Sequence, residues 1–313
     1  MESAAMSFAD RDGLIWFDGE MVPWREAKVH VLTHTLHYGL GVFEGVRAYR
    51  TPDRGTCIFK LAEHTERLFN SAKILGMHMP YSRDTLIEAQ RLVVRENGLE
   101  EAYLRPMCFY GSEGMGLRAD GLKTHAIVAS WEWPSYMDPE AARRGIKVRT
   151  SSFTRHHVNI TMCKAKANGN YINSMLALRE ALDCGADEAL LLDNEGYVAE
   201  GSGENIFMVR RGKLHTPELT SCLDGITRAT IFAFAEELGL SIVERRITRD
   251  ELYVADEAFF TGTAAEVLPI SELDGRAIGD GKRGPITEKF QAMYFDAVRG
   301  KRAQNMHWLT PIA

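Results

Sequence analysis

The sequence predicts two mixed α/β domains, and three observations carry that expectation. At 313 residues the chain is long enough to bury two separate cores. Up to about residue 129, runs with helical apolar spacing alternate with strand-like runs. After the proline-bearing stretch WEWPSYMDPEAARRG the pattern changes to a meander of short strand pairs. The expected division is residues 1–129 as a smaller α+β unit, 130–142 as a connection, and 143–313 as a larger unit.

In chain order, GLIWFDGEMVPW reads as two short strands about an Asp18-Gly19 turn, a strong hairpin signal. HYGLGVFEGVRAYR follows as a loop and a strand. LAEHTERLFNSAKILG is a helix stopped at Gly76. In SRDTLIEAQRLVVRENG, Ser82 stands at an N-cap, and Leu86, Ala89, Leu92 and Val93 recur at helical spacing. AYLRPMCFYG and THAIVASWEW are strands.

In the second unit, EALLLDNEGYVAEGS and NIFMVRRGKLHTP form strand pairs around glycine-containing turns, and GITRATIFAFAEELG is a helix stopped at Gly239. SIVERRI is a strand. Thr248 and Glu251 have capping-box spacing. EAFFTGTAAEVLP closes the core, and Pro285 opens a last helix. No internal repeat or low-complexity segment interrupts the series.

Composition excludes several partners. Apolar residues make up 45% and charged residues 26%, the balance of an ordinary globular protein. A net charge of -6, with basic residues clustered only as pairs such as Arg143-Arg144, Arg210-Arg211 and Arg245-Arg246, gives no footprint for nucleic acid or an anionic membrane. The N-terminus lacks a signal peptide's cationic start and apolar core, and no apolar run has bilayer-spanning length. Five scattered cysteines (Cys57, Cys108, Cys163, Cys184, Cys222) without a CxxC point to reduced thiols in a cytoplasm.

Three motifs carry less than they suggest. Gly279 to Gly284 spells GxGxxG, but only one helix and a tail follow, so a nicotinamide site is not expected. His30, His34 and His37 could converge on a helix, yet Gly39 and Gly41 favour a loop, so packing or hydrogen-bonding histidines are expected rather than metal ligands. Gly111 to Gly116 lacks the Gly-Lys-Ser/Thr ending of a phosphate loop.

The chemistry concentrates later. TMCKAKANGNYINSM holds two lysines, Lys164 and Lys166, which in a strand would share one face, so spacing does not choose a nucleophile. Glu200 ends a strand in a Gly-rich break, where an acid could point into a cleft or simply lie on the surface. GITRATI opens a helix whose N-terminus could bind phosphate through Ile226 N–H and the Thr227 hydroxyl, or Thr227 could merely cap it. The TGTAAE turn adds Thr263. Lysine, buried acid and phosphate cradle are the parts that pyridoxal phosphate chemistry requires.

From Glu200 through Asn205-Ile206-Phe207, Leu214, Thr216, Leu223, Gly225-Ile226 and Arg228 the spacing resembles the class-IV aminotransferase signature. HYGLGVFEGVRAY, HTERLFNSAKILG, AYLRPMCFYG, GMG, KANGNY, EGSGENIF, GITR and TGTAAE are similar, in order, to branched-chain amino acid aminotransferases over nearly the whole chain. The resemblance implies the two-domain fold-type IV architecture, with pyridoxal 5'-phosphate bound by the larger C-terminal unit and a homodimer or larger homo-oligomer.

It also assigns roles. The Schiff-base lysine stands five residues before a tyrosine in a K-x-x-x-N-Y run, which selects Lys166 and leaves Lys164 as a solvated neighbour. Glu200 would pair with the pyridine nitrogen, Tyr171 with the ring hydroxyl oxygen, and Arg67, Ile226, Thr227 and Thr263 with the phosphate; Leu223 joins this cofactor set. Arg105, aided by Tyr38 and Tyr136, would pair with a glutamate side chain. Phe43, Trp133 and Leu117 would wall the apolar substrate, and Tyr103 with Thr263-Ala264 would hold the α-carboxylate.

The reaction implied is ping-pong transfer of an amino group between L-leucine, L-isoleucine or L-valine and 2-oxoglutarate, giving branched 2-oxo acids and L-glutamate. A D-amino acid aminotransferase, an amine transaminase or an aminodeoxychorismate lyase would share the cofactor residues. Asp224 stands where the family often has proline, and RHHVN departs from the commoner apolar pattern before the lysine.

Overall fold

The computed structural model describes residues 7–133 and 139–313. The chain divides into two compact units that are not consecutive in sequence. One comprises the chain through Trp133 together with Ala165–Gly169 and Val298–Ala313; the other comprises the described residues up to Lys164 and Asn170–Ala297. The expected division into consecutive pieces differs because two later segments pair with the first sheet. Leu309–Pro311 runs antiparallel to Gly55–Phe59, and Ala167 bridges Val42.

The first unit is built on an eight-stranded sheet among the described residues. Its centre is the long antiparallel pair Ala102–Tyr110 and Thr124–Trp131, in register from Tyr103↔Trp131 to Tyr110↔Thr124. The Asp18-Gly19 hairpin forms as expected, with Phe17 opposite Glu20. Helices Leu61–Ile74 and Arg83–Glu96 belong to the same unit, the second capped by Ser82 Oγ accepting from Thr85 N at 3.1 Å. Trp16, Val46, Ile58, Leu68, Leu86 and Leu104 are among the core residues from sheet and helices, each worth about 1.5–3 kcal/mol of burial where fully enclosed.

The second unit holds a nine-stranded mixed sheet among the described residues. The strands Glu188–Leu192, Val198–Gly201, Asn205–Arg210 and Lys213–Thr216 form the expected meander, and Glu257–Gly262 pairs with both Asn205–Arg210 and Glu266–Leu273. Phe207 stacks on Phe259 at 5.2 Å, and Phe259 meets Phe290 of the helix Pro285–Val298 at 5.7 Å. The Thr248–Glu251 capping box forms.

Three local expectations change. His34–Tyr38 is a five-residue helix rather than loop, ended by Gly39 at φ 72°, a left-handed angle that glycine adopts without a Cβ clash. Its start is fixed by a distant contact, His34 N donating to Gly111 O at 2.7 Å, which no local pattern reveals. SIVERRI keeps only Ile242–Glu244 as strand. At the end of the expected connection 130–142, and running two residues past it, Pro139–Arg144 is a short helix. Among the described residues, no helix is long and apolar enough to cross a membrane.

Candidate active site

In the first unit, Lys166 is fixed by its backbone. Its N–H donates to Ser71 Oγ at 3.0 Å and its carbonyl accepts from Phe43 N at 3.1 Å. The amine lies 5.3 Å from the centroid of the Phe43 ring. Arg105 approaches the same ring, with Cζ at 4.7 Å, and its Nη2 donates to the Tyr103 hydroxyl at 3.4 Å. Tyr103 packs on Trp133 at 4.8 Å. Glycine is required at position 45, because a Cβ there would run into the Tyr103 hydroxyl.

This unit therefore gathers Lys166, Phe43, Arg105, Tyr103 and Trp133. The Arg105 Nε donor is buried without a hydrogen-bond partner among the described residues, the condition of a group able to meet an anion. Leu117 is 89% exposed and Tyr38 42% exposed, its ring against His34 at 4.5 Å, so neither joins that group within the unit. Tyr136 lies outside the described residues.

Arg67 donates through Nε and Nη2 to both oxygens of Glu44, at 2.6 and 2.9 Å. Glu44 is fully buried and also meets His64 Nδ1 at 2.7 Å. Burial acts to raise the Glu44 carboxyl, but the Arg67 charge and hydrogen bonds outweigh it and hold it far below the ordinary range. Burial pushes His64 down, outweighing the Glu44 contact that acts to raise it. This cluster was not read from the sequence; the signal available was a lone acid inside the apolar run VFEGV.

In the second unit, Glu200 follows a register irregularity between Val198 and Glu200, a bulge of the kind that re-aims a side chain. It is buried, its Oε1 2.8 Å from Arg155 Nε and its Oε2 accepting from Leu223 N at 3.2 Å. Asn205 Nδ2 holds the Leu223 carbonyl at 2.9 Å. The helix Ile226–Glu237 begins at Gly225 with no side-chain cap bond from that position, leaving the Ile226 and Thr227 end suited to an anion. Asp224 is exposed and is not the N-cap. Asn205 lies opposite Thr261, whose Oγ1 is buried without a partner among the described residues, just before the half-buried Thr263 and Ala264. Tyr171 opens the helix Tyr171–Asp183.

The two lysines part company here. Lys164 Nζ donates to the carbonyl of Leu219 and to that of Cys222, the latter at 2.7 Å. Its expected role as a solvated neighbour is corrected: Lys164 lies in a turn, and the turn and bend at 219–222 bring two carbonyls of the loop before Leu223 to its amine.

The remaining motifs have structural partners. His34 Nε2 meets Gly116 O and His37 Nε2 meets Val31 O, and no cluster of metal-ligating side chains occurs among the described residues. At the GxGxxG stretch, the Glu257 carboxylate accepts from Ile286 N, Thr287 N and Thr287 Oγ1, occupying the helix N-terminus where a phosphate would sit.

A helix N-terminus begun at glycine, a buried threonine hydroxyl without a partner among the described residues and a buried acid paired with an arginine fit a phosphorylated cofactor with a basic ring nitrogen. Residues 41–273 match the amino-transferase class IV family, and the chain belongs to it. It is 68% identical over 305 residues to a branched-chain-amino-acid aminotransferase of Pseudomonas aeruginosa, covering 97% of this chain and 99% of that one. Among solved structures, a branched-chain amino acid aminotransferase of Thermoproteus uzoniensis with norvaline superposes with a TM-score of 0.92 at 44% identity, covering 97% of this chain and 100% of that one. A further branched-chain amino acid aminotransferase, solved with pyridoxamine 5'-phosphate, gives 0.94 at 48% identity, covering 97% of this chain and 99% of that one.

Proposed function

We infer that this chain is a branched-chain amino acid transaminase that uses pyridoxal 5'-phosphate to exchange the amino group of L-leucine, L-isoleucine or L-valine with 2-oxoglutarate. The observation that carries the reading is that the Phe43 ring lies near both the Lys166 amine, at 5.3 Å, and the Arg105 guanidinium, at 4.7 Å. An apolar side chain needs a wall there, whereas a glutamate side chain needs a cation, since burying its carboxylate unpaired would be prohibitive. Arg105, whose Nε has no partner among the described residues, supplies that charge without demanding it of every substrate. A D-amino acid or amine specificity on the same cofactor residues is the alternative outcome.

When bound, the cofactor supplies an aldehyde carbon that joins amines and a ring that accepts electrons from the substrate Cα. Lys166 would hold it covalently and, with its amine free, would take the proton from the substrate Cα as general base. Glu200 would hold a proton on the ring nitrogen, and Tyr171 would hydrogen-bond the ring oxygen. Arg67, Ile226, Thr227 and Thr263 bind the phosphate, with Leu223 steadying Glu200. Tyr103 and the Thr263-Ala264 turn orient the α-carboxylate; Phe43, Trp133 and Leu117 exclude water from the side chain; Tyr38 and Tyr136 assist Arg105.

A homodimer or larger homo-oligomer belongs to the same proposal. Leu117 is too exposed in one chain to wall a substrate and Tyr38 too exposed to assist Arg105, which is accounted for if a second copy receives them. Free cysteines accord with a cytoplasmic setting. The test is single half-reactions followed by absorbance. L-Leucine should bleach the yellow band and 2-oxoglutarate restore it; a response to D-alanine or aminodeoxychorismate alone would move the chain to a sister activity.

A further inference from the structure

Arg155 lies in the RHHVN stretch, in irregular chain ahead of the lysines, and no role falls to it in the reading above. It is 6% exposed, as is Glu200, and its Nε sits 2.8 Å from Glu200 Oε1. Its own backbone is tied to the sheet beside that acid: Arg155 N donates to Leu192 O at 2.8 Å, next to Leu191, which pairs with Glu200. Nε also reaches Ser221 O at 3.5 Å, on the loop that presents Leu223 N to the other carboxylate oxygen.

A carboxyl group this deeply buried and alone would keep its proton, and a protonated acid cannot hold a second proton on a ring nitrogen. A guanidinium remains charged at every working pH, so it supplies the counter-charge before any cofactor arrives. With one oxygen taken by Arg155 and the other by Leu223 N, the carboxylate plane is set in advance rather than found on binding.

We propose that Arg155 is a positioning residue that holds Glu200 ionised and oriented for the cofactor's ring nitrogen. The proposal rests on the reading of Glu200 as the partner of that nitrogen. It separates Arg155 from an ordinary buried ion pair, which would tie the 155 loop to the sheet and serve any ligand equally.

The test compares cofactor affinity, by titration of the full chain, for pyridoxal 5'-phosphate and for its 1-deaza analogue, in which carbon replaces the ring nitrogen. Arg155→Met should weaken the natural cofactor by about tenfold or more, the scale of one charge-assisted hydrogen bond, and leave the analogue within about twofold. Arg155→Lys should recover part of the loss. The double variant Arg155→Met/Glu200→Gln should lose no more than the weaker-binding single variant, because both act through one contact. Equal losses for both cofactors, or additive losses in the double variant, would overturn the proposal in favour of a structural pair. If Glu200→Gln itself failed to distinguish the two cofactors, the Glu200 reading would fall and the proposal with it. Should Arg155→Met not fold, the same comparison on Arg155→Lys decides, since a merely structural loss would again be equal for both cofactors.

Discussion

Replacing Arg67 by Met gives the sharpest test of the buried Glu44 cluster. Glu44 has no exposed surface and Arg67 grips both its oxygens, at 2.6 and 2.9 Å. Removing one partner of such a pair strands the other, at a cost of about 3–5 kcal/mol. In the natural chain the Glu44 carboxyl is held below its ordinary value of 4.5. Its contribution is therefore fully present above that value and is lost as pH falls through the lowered one. In the variant the stranded site takes up a proton, on Glu44 or on neighbouring His64, and binds one more than the natural chain does. The penalty should then grow by about 1.4 kcal/mol per pH unit from mildly acidic pH until that proton is released. The assay is equilibrium urea unfolding of both cofactor-free proteins at fixed chain concentration, at several pH values between about 5 and about 8. A loss below about 1 kcal/mol, or one independent of pH across that range, would refute the reasoning.

Three further outcomes are expected. Lys164→Met should lower stability by about 1–3 kcal/mol through the freed Leu219 and Cys222 carbonyls, while leucine still bleaches the yellow band, as absorbance would record. Arg105→Met should raise KM for glutamate at least about tenfold with a much smaller change for leucine, measured by steady-state kinetics in each direction. Of the five thiols, only Cys184 is exposed; burial pushes Cys108 and Cys222 up to about 12. One equivalent of an aromatic disulfide reagent should therefore react rapidly at neutral pH, and the rest only in denaturant.

What could be read from the sequence was local. The Asp18-Gly19 hairpin, the Ser82 cap, the Thr248–Glu251 box and the helix opened by Pro285 each follow from residues within a few positions of one another, and each forms. The helix His34–Tyr38 was missed because five residues do not nucleate a helix on their own; a bond to Gly111 fixes its start. The assignment of 165–169 and 298–313 to the first unit depends on pairings such as Leu309↔Phe59, far apart in sequence.

At the site, residue types and their order were legible, because spacing along a strand or helix survives in the sequence. Partners were not. Arg155 reaches Glu200 from an irregular stretch with no periodicity to mark it, and Lys164 finds its carbonyls in a loop whose turn leaves no strong signal. Glu44 could have been suspected only from the oddity of a charge among apolar neighbours.

The claim on which the rest depends is that Lys166, not Lys164, carries the cofactor. Borohydride reduction of the yellow protein fixes the cofactor to whichever amine holds it, and digestion followed by mass spectrometry locates it. A phosphopyridoxyl group is expected on Lys166 alone. Finding it on Lys164, whose amine the structure gives to Leu219 and Cys222, would contradict the account at its centre.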